Sequence, residues 1–401
     1  MRLLSGKPVI VVAAGPSLDK NVHLLADARD RAFILCVDTS YRNLIRRGIV
    51  PHAVVSIDAR DNSYKHFAGI PEPTGARLIF DPESNPLTVS SFAGPRLAVG
   101  LSKSHLTRWL DEICGGKGQV QKGSNVMLAA FHIAQAGGAA PIILIGCDLA
   151  YPREGGTTHA GETAFNMRFR RVERDGKVFF QKPHFDDPGK IDEFEVRMVE
   201  GVDGQPVPTI PQLYTYLSML ESEVAQRRSR VIDATEGGAR IAGTEILPLA
   251  EALERYCPAG GVPLPEALPE FSCLDGRARV KAELSALAEA LERSGRSAEE
   301  GLRLCARLER ALAAGEREDA AQRAGRLPAH FHTLLSPKPV ETIIESGAAA
   351  EMFQFLQNSG RRARPDVTPE ELAADFRAAF SAVRAVTAHF HALVGRVMQE
   401  L

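Results

Sequence analysis

Four short segments of the chain hold the residues best suited to chemistry. In Gly15-Pro16-Ser17-Leu18-Asp19 a glycine allows close backbone approach to a ligand, a proline pre-sets the first turn, and the open N–H groups of a helix start attract phosphate. Lys122-Gly123-Ser124-Asn125 is a second helix start of this kind, with a lysine to supply charge. Gly146-Cys147-Asp148-Leu149-Ala150-Tyr151 is followed by Thr157-Thr158-His159-Ala160, which brings an aspartate and a histidine close enough in the chain for general base work on a hydroxyl. His184 competes with His159 for that role. Asp233-Ala234-Thr235-Glu236-Gly237-Gly238 offers Glu236 as a ligand or acid. Each segment also has a bland reading as a turn, an N-cap or a surface histidine. It is their number and order that argue for a site. Neither a G-x-G-x-x-G nor a G-x-x-x-x-G-K-[ST] loop is present, and Asp58 and Asp61 are too far apart for a D-x-D pair. No metal ligand is therefore expected.

Positioning these residues requires strands. Val9 to Ala14 is a continuous apolar run ending at Gly15, as in a strand buried on both faces of a parallel sheet. Further runs stop at aspartates: 32–37 at Asp38, 53–57 at Asp58, 77–80 at Asp81 and 141–147 at Asp148. Helix-period segments such as 125–135 alternate with them, which predicts a doubly wound α/β sheet. Ligands of such sheets sit outside the carboxyl ends of the strands, where Asp38 with Thr39, and Asp58, become candidate nucleotide contacts. Residues from about 160 to 210 interrupt the rhythm, and Asp175-Gly176 and Asp203-Gly204 predict hairpins within this insertion. A helix near 210–228 and a strand at 230–233 restore it.

The 401 residues exceed what one core comfortably organises. A core is expected over 1–255, a proline-rich linker with Pro258, Pro263, Pro265 and Pro269 over 256–274, and a helical bundle over 275–401. In the bundle, Arg277 to about Arg326 is helical in character, and Thr368-Pro369-Glu370-Glu371 forms a capping box for a last helix. That helix has an apolar stripe at Leu372, Phe376, Ala379, Val383, Val386, Phe390, Leu393 and Val397. A formal charge of −2 gives no global attraction to nucleic acid or anionic membranes. Six scattered cysteines read as buried thiols of a reducing compartment. With no signal-peptide pattern and no apolar run of ~18–20 residues, a soluble cytoplasmic protein is expected.

The series Gly15-Pro16-Ser17-Leu18, Ser56-Ile57-Asp58, Lys122-Gly123-Ser124-Asn125-Val126, 145–151, Thr158-His159-Ala160 and 233–238 resembles the central domain of the motility-associated factor (Maf) flagellin glycosyltransferases, over roughly residues 1–250. That family is similar in fold to bacterial sialyltransferases, and its domain superfamily also includes a hydroxymethylpterin pyrophosphokinase (MptE-like) type. The resemblance implies a Rossmann-like, sialyltransferase-like core that moves a nonulosonic acid of pseudaminic or legionaminic type from a CMP-activated donor to serine or threonine of flagellin. It implies no cofactor, with Gly15, Pro16, Ser17, Asp38, Thr39, Asp58, Lys122, Gly123, Ser124 and Asn125 around the nucleotide and Asp148, His159 and Glu236 as catalytic groups. The family usually carries a substantial domain ahead of this core, whereas here the first strand begins almost at Met1, so an acceptor-recognition element is expected to be missing or supplied elsewhere. Two other functions fit the same residues: a magnesium-dependent pyrophosphokinase using the aspartates as metal ligands, and a flagellin-binding protein without turnover.

Overall fold

The computed structural model describes residues 3–71, 74–100, 105–114, 120–121, 123–164, 166–184, 187, 189–226, 229–259, 276–335, 338–362, 364 and 366–400. Two compact units emerge, one of Met1–Arg108 with Gly116–Phe271, the other of Trp109–Gly115 with Ser272–Leu401. The prolines at 263, 265 and 269, expected in a linker, lie outside the described residues.

The first unit is built on a parallel sheet of β1 (Val9–Val12), β2 (Phe33–Val37), β3 (Ala53–Ser56), β4 (Arg77–Phe80), β5 (Arg96–Ala98), β6 (Ile142–Ile145), β13 (Val231–Asp233) and β14 (Glu245–Ile246). The order across it is β14-β13-β6-β1-β2-β3-β4-β5. Consecutive residues of the central strands are buried because they face opposite layers. Val9, Val11, Leu35, Val55 and Leu144 pack with Leu128 and Phe131 of helix α5 (Val126–Ala136) and Leu220 of α6 (Pro211–Ala225). Ile10, Val12, Ile34, Val54 and Ile143 pack with Leu18 of α1 (Leu18–Asn21), Tyr41 and Leu44 of α2 (Asp38–Arg46) and Leu253 of α7 (Leu249–Tyr256). This is the doubly wound α/β fold. Short helix α3 (Pro86–Ser91) and edge strand β5 follow β4, and α4 (His105–Cys114), whose Leu106, Trp109, Leu110 and Ile113 recur at helical spacing, contains residues of both units.

Between β6 and α6 the chain leaves the sheet and forms antiparallel strands. β7 (Gly156–Thr157), β8 (Arg168–Arg174), β9 (Lys177–Pro183) and β10 (Ile191–Glu195) make one sheet, while β11 (Arg197–Glu200) and β12 (Pro206–Thr209) make a separate hairpin. Asp175 and Gly176 both adopt positive φ, 54° and 71°, which suits the tight β8–β9 turn. Asp203-Gly204 lies in the turn of the second hairpin. The neck of the excursion is clasped: Tyr151 N donates to Pro208 O at 2.8 Å, and Thr209 Oγ1 donates to Leu149 O at 2.8 Å.

The second unit is helical. Its two longest members, α8 (Gly276–Ala313) and α14 (Pro369–Glu400), run antiparallel, as the pairings Glu309–Arg377, Gly301–Phe380 and Ser285–Met398 show. Between them in sequence come α9 (Arg317–Ala324), α10 (Leu327–His332), α11 (Lys338–Gly347), α12 (Ala349–Gln357) and α13 (Ser359–Arg362). The capping box closes reciprocally, with Glu371 N donating to Thr368 Oγ1 at 3.2 Å and Thr368 N to Glu371 Oε2 at 3.0 Å. The expected stripe of α14 holds through Phe376, Ala379 and Val383, with Leu372, Val386 and Phe390 partly buried against the same core, and then drifts. Thr387 and Val394 are the buried positions further on, whereas Leu393 and Val397 are exposed. A straight helix of 3.6 residues per turn rotates its face away from a partner over such a length. Cys36, Cys147, Cys257 and Cys305 are free and buried. Among the described residues no helix is long and apolar enough to cross a membrane.

Candidate functional site

The strand order reverses at β1. From there the chain walks outward through β2 to β5, then returns to β6 on the other side of β1 and continues to β13 and β14. The carboxyl ends of β1 and β6 therefore diverge into connections on opposite sides, which opens a crevice where ligands of such sheets bind.

Asp148 stands at this crevice, three residues beyond β6. Ser17, just after β1, gives it two hydrogen bonds: Oγ to Oδ2 at 2.7 Å and backbone N to Oδ1 at 3.2 Å. Both residues are nearly sealed, Ser17 at 3% and Asp148 at 7% exposure. Burial pushes the Asp148 carboxyl up to about 6; the Ser17 bonds and Lys20 pull it back, and Asp233 pushes it further. The approach is possible only because glycines surround it. A Cβ on Gly15 would stand 1.9 Å from Asp148 Oδ2, and one on Gly238, which also has a φ of 75°, would stand 2.2 Å from Asp148 O. Gly15 and Gly238 thus form the seat of Asp148, a use of glycine that a phosphate loop and a carboxylate seat share. Ser17's hydroxyl and amide are committed to this carboxylate, so the turn at 15–18 is not an open anion cradle, contrary to the simplest reading of its sequence.

A second buried carboxyl lies on the neighbouring strand. Asp233, at 1% exposure, accepts from Thr235 N through Oδ1 at 3.1 Å, and its Oδ2 has no hydrogen-bond partner. Burial pushes it up to about 6 as well, against the pull of Thr235. Thr235 Oγ1 in turn accepts from Cys147 N at 3.3 Å, tying the ends of β6 and β13 together. The segment 157–162 straps across the end of β1: Ala160 N donates to Ala14 O at 2.9 Å and Gly161 N to Asp19 Oδ2 at 2.7 Å. His159 is thereby held beside the Ser17 turn, half-buried, with Nδ1 3.0 Å from Thr158 Oγ1.

The remaining candidates are placed as follows. Glu236, at a φ of 58°, accepts from Leu249 N and Asn21 Nδ2 through Oε1, so its carboxylate caps α7 while its backbone oxygen accepts from Lys20 Nζ at 2.8 Å. Asp38 is buried and accepts from Thr39 N and Oγ1 and from Ser56 Oγ. Asp58 is gripped by the Arg60 guanidinium; partial burial raises its pKa, but the bonds from Arg60 outweigh that and hold it below the ordinary value. Asn125 caps α5 by accepting from Leu128 N at 2.8 Å, Ser124 is exposed ahead of it, and a Cβ on Gly123 would meet Leu128. Lys122 lies outside the described residues. His184 accepts from Asp187 N in the β9–β10 turn. Lys20 and Asp233 were not singled out by sequence. The strand ending Ile232-Asp233 repeats the strand-to-aspartate pattern seen at Asp38, a signal that could have found the latter.

Residues 2–154, which contain both Ser17 and Asp148, match the family model described as 6-hydroxymethylpterin diphosphokinase MptE-like. Among solved structures, the chain is similar to a Maf glycosyltransferase from Magnetospirillum magneticum AMB-1, with 15% identity and a TM-score of 0.49 over 100% of this chain and 54% of that one. The present chain thus spans about half the length of that structure. No curated protein matches it. The matched stretch ends before His159 and Glu236 and holds the Ser17–Asp148 pair together with Asp38, Asp58 and the 123–125 turn.

Proposed function

We propose that the MptE-like core is a group-transfer enzyme, a glycosyltransferase that takes a nucleotide-activated sugar in the β1/β6 crevice. The observation that carries this reading is the buried Ser17–Asp148 pair: a carboxyl near pKa 6 is poised to accept a proton at neutral pH. In the proposed reaction a hydroxyl oxygen of the acceptor attacks the anomeric carbon of the donor. The bond from that carbon to the phosphate oxygen breaks, and the nucleoside monophosphate leaves with the electron pair. Asp148 takes the hydroxyl proton, with His159 on the strap as a positioning group or alternate base. The exposed Ser124 at the start of α5 and the Lys20 ammonium are assigned to the leaving phosphate. The finer reading follows the resemblance: CMP as nucleotide, a nonulosonic acid as sugar, serine or threonine of flagellin as acceptor, and the helical unit as the part that holds the acceptor protein in the cytoplasm.

The description of the matching family favours a second reading, transfer of a diphosphate from a nucleoside triphosphate to a hydroxymethylpterin-type alcohol, with magnesium on the crevice carboxylates. Calorimetric titration of the whole chain with CMP and with ATP, each with and without magnesium, separates the two. Metal-independent binding of CMP alone supports the sugar transferase. Magnesium-dependent binding of ATP alone transfers support to the diphosphokinase.

A further inference from the structure

A cavity of about 590 Å³ lies to one side of the crevice, between the β11–β12 hairpin, α6 and the turn at 240–243. This volume is in the range that small-molecule sites occupy. Arg197, on β11 opposite Thr209, lays its guanidinium 4.3 Å over the ring of Tyr214 on α6. Among the described residues neither the Arg197 guanidinium nor the Tyr214 hydroxyl has a hydrogen-bond or ion-pair partner. The other charges of the wall are occupied: Arg240 pairs with Glu200 at 2.8 Å, and Glu221 accepts from Ala242 N at 3.0 Å. Leu217, at 4% exposure, supplies an apolar wall.

We infer that this cavity is a binding site for a small organic carboxylate. A guanidinium held over an aromatic ring keeps donors open and loses little freedom on gaining a planar, bidentate partner. Tyr214 adds a second donor. The charge balance selects the class of anion. Two arginines face two glutamates, so the wall is neutral and accommodates one negative charge, whereas a phosphate dianion meets repulsion from Glu200 and Glu221. The apolar wall favours a carboxylate carried on a compact carbon ring over a bare ion. The site stands apart from the group-transfer reading, because its residues are distinct from the Ser17–Asp148 pair.

The test is calorimetric titration of the whole chain with benzoate and glucuronate, against benzamide, glucose and inorganic phosphate as controls. Binding of at least one carboxylate, with its neutral counterpart and phosphate at least about tenfold weaker, is expected. Arg197→Met should lower that affinity more than tenfold, Tyr214→Phe should lower it severalfold, and Arg197→Lys should retain part of it; melting curves should confirm that all three fold. Equal binding of acid and neutral analogue, preference for phosphate, binding indifferent to Arg197→Met, or no carboxylate binding at concentrations on the order of millimolar would each overturn the inference.

Discussion

Asp148 is the residue on which the proposed chemistry turns. If it is the base, its variant Asp148→Asn should lower kcat by roughly 10²–10⁴-fold. In the wild type, kcat/KM for the transfer should rise as pH passes through about 6 and level off above it, since the ionised carboxylate is the active form. The variant should lose that limb, and a profile that keeps it would point to His159 instead. Gly238→Ala tests the seat: a Cβ there meets the Asp148 backbone and the φ of 75° disfavours an L side chain, so the melting temperature should fall along with activity. The sequence made Gly15, Ser17 and Asp148 visible as candidates through their strand-to-loop positions. It did not show that Ser17 and Asp148, 131 residues apart, would bond to each other, because periodicity carries no information on which two loops meet. Glu236 illustrates the converse: a lone carboxylate in a glycine-rich loop looks chemical until its cap on Leu249 is seen.

At the scale of elements, the contact of α8 with α14 sets two magnitudes against each other. Gly301 faces the ring of Phe380, and a Cβ there would stand 2.5 Å from Cε1 of a side chain that is fully buried. Alanine is the better helix former by ~1 kcal/mol, whereas overpacking a buried contact costs ~1–3 kcal/mol. Gly301→Ala should therefore lower stability in denaturant titration despite the gain in propensity, and Gly301→Ala with Phe380→Leu should recover part of the loss. The elements themselves were largely readable. Runs such as Val9–Val12 and Ile142–Ile145 are apolar because both faces are covered, and Val126–Ala136 shows its helix by length. β5 and α3 escaped notice because a three-residue edge strand and a six-residue helix at the rim bury too little to impose a pattern. The stripe of α14 fails only at its last two positions, Leu393 and Val397, because rotation accumulates along the helix.

For the molecule as a whole, two carboxyls raised to about 6 make the first unit a poorer host for charge as pH increases. Relative to an ordinary value of 3.8, the stability they contribute is fully present below about pH 4 and is lost as pH rises through about 6, on the order of 3 kcal/mol each. The unfolding transition of this unit should shift to lower temperature between pH 4.5 and about pH 7, and Asp233→Asn should flatten roughly half of that shift. A transition insensitive to pH in this window would mean that the two carboxyls are not raised. The clasped neck between Leu149–Tyr151 and Pro208–Thr209 has a different consequence. A loop whose ends are already fixed adds closure entropy only with the logarithm of its length, so doubling the excursion costs the core about 0.6 kcal/mol. Strands β8–β10, which lie between the strap at 157–162 and the bonds of 200–202 to the turn at 238–240, can thus lengthen, shorten or be exchanged for another antiparallel module while the sheet that carries Ser17 and Asp148 scarcely registers the change, which makes this the segment where the proposed transfer could be fitted to different acceptors.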